Sequence, residues 1–128
     1  MPDPSFKHIS PAMEGDVVVV LIKTKEFQQP MMAQELGNEL SRVMPEFRAK
    51  KVLLDFAPVT YLGSVAFAAL SRVVKNVKSA GGQIKFCNMA PSVERATNII
   101  FSVDIVGSQN AVEIHDTRAR ALASFAMA

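Results

Sequence analysis

Val52-Leu53-Leu54-Asp55-Phe56-Ala57-Pro58-Val59-Thr60-Tyr61-Leu62-Gly63-Ser64-Val65-Ala66-Phe67-Ala68-Ala69-Leu70 changes its periodicity halfway along. Lys50 to Phe56 is a short apolar run suited to a strand buried on both faces, and Ala57-Pro58 closes it. A turn-like segment leads to Gly63. From Ser64 onward, Ala66, Ala69, Leu70, Val73, Val74 and Val77 recur at i, i+3, i+4, i+7, i+8 and i+11 until Gly81-Gly82 stops the pattern. That spacing predicts one amphipathic helix directly after the strand.

The same alternation extends in both directions. Upstream, Val17 to Ile22 is a second buried strand. The turn Glu14-Gly15-Asp16 joins it as a hairpin to an earlier edge strand within Phe6 to Met13, where Pro11 is tolerated. Met32, Leu36, Leu40, Val43, Met44 and Phe47 form the stripe of a first helix over roughly 30–46. Downstream, Gln83 to Met89 is a strand, and Pro91 opens a helix ending near Phe101. Gly107 to Asn110 is a loop and Ala111 to His115 a last strand. Asp116 is the expected N-cap of a terminal helix carrying Ala121, Leu122 and Phe125. The order ββαβαβαβα predicts an α/β fold: one domain over 1–128, a mostly parallel mixed sheet with an antiparallel edge hairpin, and about four helices. Residues 1–5 and 126–128 are expected to be loose.

Composition narrows the function. The 128 residues include 14 basic and 12 acidic ones, a net charge of +2, too weak a field to imply nucleic acid or an anionic membrane. No apolar run is long enough to span a bilayer, and the N-terminus lacks a leader pattern, so the expected location is cytoplasmic. The single Cys87 cannot form an internal disulfide and is read as a small buried hydrophobe. No phosphate-binding loop, metal-ligand spacing or nucleophile elbow occurs. His8 and His115 have no ligand spacing around them. No catalytic residues, cofactor or metal are therefore expected, and the protein is not read as an enzyme. Met31, Met32 and Met44 are read as core filler, and Asp55 as either a turn acceptor or a site carboxylate.

The stretch beginning at Val52, with Gly81-Gly82, the strand from Gln83 and Pro91-Ser92-Val93, resembles the STAS domains of anti-sigma-factor antagonists over roughly residues 14–125. The resemblance implies a regulatory protein that binds a serine kinase acting as anti-sigma factor, with self-association or binding to other STAS proteins as further partners. It also implies a phosphoacceptor at the helix start, usually in Asp-Ser-Ser/Thr-Gly. Here that pattern falls on Gly63-Ser64-Val65-Ala66, so only Ser64 can accept phosphate; Gly63, Val65 and Ala66 depart from it.

Ser64 has two readings. As an N-cap its hydroxyl would accept a first-turn N–H, typically contributing ~1 kcal/mol. As a phosphoacceptor it would place a dianion at the positive end of a helix dipole. Tyr61, Leu62, Gly63 and Val65 form the loop around it. With the core stripe fixed, Phe67, Ser71, Arg72 and Lys75 are expected on the outer face of the helix as the partner-binding surface. Two other readings stay open: a STAS scaffold that is never phosphorylated, and a small-molecule sensor with its pocket near Thr60 to Ser64.

Overall fold

Strand pairing follows from where the apolar runs are buried. In the computed structural model, which describes residues 6–102 and 112–126, β1 (Ile9–Glu14) and β2 (Val17–Ile22) form an antiparallel hairpin with Glu14 opposite Val17. β2 then pairs in parallel with β4 (Lys51–Asp55), β4 with β6 (Gln83–Cys87), and β6 with β7 (Glu113–His115). The sheet order is β1-β2-β4-β6-β7. Pro11 lies on the edge strand, where a missing N–H is harmless. β2 and β4 occupy inner positions, which is why their side chains are apolar on both faces.

The two faces differ in what covers them. Val18, Val20, Ile22, Val52, Leu54, Ile84 and Phe86 point into the larger core. That core is closed by α1 (Pro30–Phe47), α2 (Ser64–Ser79) and α3 (Pro91–Ser102), which contribute Leu36, Leu40, Val43, Leu70, Val73, Val74 and Val93. Alternate residues Val17, Val19, Leu53 and Cys87 face the other way, against Ala121, Leu122 and Phe125 of α4 (Arg118–Ala126). Period-two alternation therefore assigns each strand residue to one of two separate cores.

Polar side chains fix the edges. Glu39 of α1 is buried and accepts the backbone N–H groups of Lys7 and His8 at 3.0 and 2.9 Å. The His8 ring, also buried, lies 2.6 Å from Thr24 Oγ1 and 2.8 Å from Glu35 Oε1. These bonds tie the start of β1 to α1 and account for His8 structurally. On the α4 side, Lys85 Nζ donates to Ser124 Oγ at 2.8 Å and sits 4.7 Å from the Phe125 ring centroid.

Several boundaries depart from the pattern reading. Two two-residue strands, β3 (Glu26–Phe27) and β5 (Tyr61–Leu62), pair in parallel within stretches that carry no strand periodicity. At the start of α4, Thr117 rather than Asp116 caps the helix: its Oγ1 accepts the Arg120 N–H at 3.1 Å, while Asp116 lies 3.7 Å from Arg120. Met31, expected in the core, is 68% exposed in the first turn of α1. Gly107 to Asn110 and Ala111 lie outside the described residues, as do 1–5 and 127–128, while Ala126 closes α4.

Candidate functional site

Three chain segments meet where β4 hands over to α2. The Lys25 carbonyl accepts N–H bonds from Thr60 at 2.7 Å and Tyr61 at 3.3 Å, and the Phe27 carbonyl accepts one from Gly63 at 3.0 Å. This short β3–β5 ladder lays the segment before α2 against the chain entering α1. A Cβ on Gly63 would stand 3.0 Å from the Phe27 carbonyl oxygen, so the close approach favours glycine there.

Gly63 is the N-cap residue, and no side chain caps α2. Ser64 is the first helical residue, which corrects the capping reading: a hydroxyl at the first helical position does not reach back to first-turn N–H groups as an N-cap hydroxyl does. Ser64 is exposed, and the N–H groups of the first turn have no acceptor within the helix. The first turn also carries no acidic residue. A cleft of about 130 Å³ beside Ser64 is lined by Tyr61, Gly63 and Val65 together with Gln28 and Gln29. Tyr61 and Val65 are 49% and 45% exposed, while Leu62 is buried.

The helix face is partly as expected. Arg72 and Lys75 are exposed and Ser71 half-buried, and Ser64, Ala68, Ser71 and Lys75 follow one ridge at intervals of four, three and four. Phe67 is corrected: it is only 7% exposed and lines the seam with α3 beside Leu62, Val93 and Ala96. The physical reason is the width of the stripe. Phe67 precedes Leu70 by three and Val74 by seven, and α2 is flanked by α1 on one side and α3 on the other, so its buried arc includes this position.

Beneath the loop, Asp55 is a buried junction. Its Oδ1 accepts the Ala57 N–H at 3.0 Å and Asn88 Nδ2 at 3.1 Å, and its Oδ2 accepts Arg118 Nε at 3.0 Å and Nη2 at 2.7 Å. The turn-acceptor reading of Asp55 therefore holds, extended by an ion pair to α4 in which two Arg118 donors converge on Oδ2. Burial pushes the Cys87 thiol up to about 12, with the nearby Asp55 carboxylate adding to the effect, so this group is unreactive in place. No cluster of His, Cys, Asp or Glu among the described residues has metal-binding geometry, and no described helix is long and apolar enough to cross a membrane. Gln28, Gln29, Asn88 and Arg118 were not singled out by the sequence reading. They reach their places through long-range contacts that leave no local pattern.

Comparisons with known proteins agree with this fold. The sequence profile of the STAS domain matches residues 15–121. Among solved structures, an anti-sigma-factor antagonist (STAS) domain protein from Planctomyces limnophilus superposes with a TM-score of 0.65 at 20% identity, covering 94% of this chain and 97% of that one. A form of RsbS from Moorella thermoacetica gives 0.72 at 13% identity, covering 94% and 97%. The Bacillus cell-fate determinant SpoIIAA in its phosphorylated form gives 0.63 at 11% identity, covering 91% and 98%. No curated protein sequence matches.

Proposed function

The chain belongs to the STAS domain family, and from that premise we propose that it is an anti-sigma-factor-antagonist-type regulator that binds a serine kinase through the surface around Ser64. The observation that carries this reading is the exposed Ser64 at the first position of α2, flanked by exposed Tyr61 and Val65 and followed along one ridge by Ser71 and Lys75. Aromatic and cationic side chains beside a small apolar patch suit a protein interface better than a catalytic centre. The partner acts in the cytoplasm, where ATP supplies the γ-phosphoryl group and the Ser64 hydroxyl loses its proton on transfer. The resulting dianion would meet the free first-turn N–H groups and the positive end of the α2 dipole, which stabilise it locally without refolding. At the same time it would desolvate poorly against a partner packed on Tyr61 and Val65, so binding weakens.

A second reading rests on the departures at Gly63, Val65 and Ala66: a scaffold that binds the same class of partner and is never phosphorylated. One experiment separates the two. Intact-mass analysis after incubation with ATP and a candidate serine kinase is expected to show one added phosphate in the wild type and none in Ser64→Ala. A kinase that binds the protein yet leaves its mass unchanged, with Ser64→Glu binding as tightly as the wild type, would select the scaffold.

A further inference from the structure

We propose that the groove between the C-terminal halves of α1 and α2 binds a single-chain anionic amphiphile of the fatty-carboxylate class. Its tail would lie against Met44, Val73 and Val77, and its carboxylate would meet Arg48 and Lys50. The groove exists because the helix seam is uneven. At Gly37 the helices touch closely, a Cβ there falling 3.3 Å from Ala69 Cβ. Further along, the packing leaves a cavity of about 510 Å³ whose wall is mostly apolar, formed by Leu40, Met44, Pro45, Val73, Val77 and Ala80, with Ser41 and Asn76 adding polar edges. That volume falls in the range of about 300–1,000 Å³ that encloses small organic ligands. The clefts near Thr60 to Ser64, where a sensor pocket was expected, hold only about 210 and 130 Å³.

Charge selects the ligand class. Arg48 and Lys50 line the same cavity and are exposed, and among the described residues neither takes part in an ion pair or a side-chain hydrogen bond. The nearest acidic residue in sequence, Glu46, is held by Arg42. Both helices end here, and their C-terminal dipoles contribute about half a negative charge each, so the two full cations leave the mouth net positive. An apolar cavity with a cationic mouth matches a carboxylate on an alkyl chain. A neutral alcohol would forgo the charge-assisted bonds, and an alkylammonium would be repelled.

The test is titration of the full-length protein with decanoate below its micellar concentration, followed by amide chemical shifts and calorimetry, with decanol and decyltrimethylammonium alongside. Saturable shifts centred on Met44, Arg48, Lys50, Val77 and Ala80 are expected. The double variant Arg48→Asn/Lys50→Gln should bind about tenfold more weakly, Asn being chosen because residue 48 has a positive φ. Its amide spectrum away from the groove should match that of the wild type. Absence of saturation, shifts centred elsewhere, equal binding by the double variant, or equal binding of the cationic amphiphile would each overturn the proposal. The site lies at the opposite end of α2 from Ser64, so Ser64→Ala should bind decanoate as the wild type does, and failure here leaves the kinase reading untouched.

Discussion

Glu35 shows how much a single residue on this surface can be asked to do. His8 Nε2 lies 2.8 Å from its Oε1 and Lys7 Nζ 3.6 Å away, and the hydrogen bond to His8, with the Lys7 charge adding to it, holds the carboxyl below its usual range. Glu113 is depressed in the same way by its bonds to His115 and Lys85. A carboxyl whose folded pKa lies below its unfolded value stabilises the fold above the unfolded pKa, and that stability is lost as pH falls through the folded one. Thermal melts should therefore show the wild type losing its advantage over Glu35→Gln as pH drops below about 4, with the two curves converging in acid. Parallel curves to the acid limit would assign Glu35 no such role. The effect will be small, because Glu35 is partly in water. None of this was legible from sequence, since His8 and Glu35 meet only after α1 folds back along β1.

At the scale of elements, α2 carries both the site and the main correction. Its existence, start and Gly-Gly stop are written in a local period of 3.6, and so were readable. Which residues lie just inside the stripe depends on how many neighbours the helix acquires, and that is a tertiary fact. Phe67 fell on the wrong side of that line because α3 is a second wall. Phe67→Ala should accordingly cost about 3 kcal/mol by opening a cavity at the α2–α3 seam, whereas Arg72→Ala on the exposed face should change stability by less than about 0.5 kcal/mol. Urea unfolding of the two variants checks this directly. Equal, small losses would return Phe67 to the surface. Partner-binding scans on this helix are best made at Arg72 and Lys75, where a loss of binding is not confounded by loss of fold. The short strands β3 and β5 were missed for a related reason: two residues give no period, and their pairing is set by the Lys25 and Phe27 carbonyls across the gap.

For the whole molecule, the order of strands and helices was legible, but the unequal division between the two faces of the sheet was not. Three helices share the larger core, while among the described residues only α4 covers Val17, Val19, Leu53 and Cys87. The apolar anchors of α4 are Ala121, Leu122 and Phe125, supplemented by the Arg118–Asp55 pair and the Lys85–Ser124 bond. An element held by so few buried side chains should open at lower free energy than the strands beneath it. Cys87 reports that opening, being the only cysteine in the chain and buried under α4 with its thiol pushed up to about 12. Removing the Phe125 ring costs about 3–5 kcal/mol of packing, and it is the largest fully buried side chain of α4, so Phe125→Ala should undock α4 and leave the larger core folded. Cys87 should then react with a disulfide reagent at a rate many times that of the wild type, with far-ultraviolet dichroism nearly unchanged. A thiol that stays as slow in the variant as in the wild type would mean that α4 is bound by more than its apolar face. A fast thiol with collapsed secondary structure would mean that the two faces unfold as one unit.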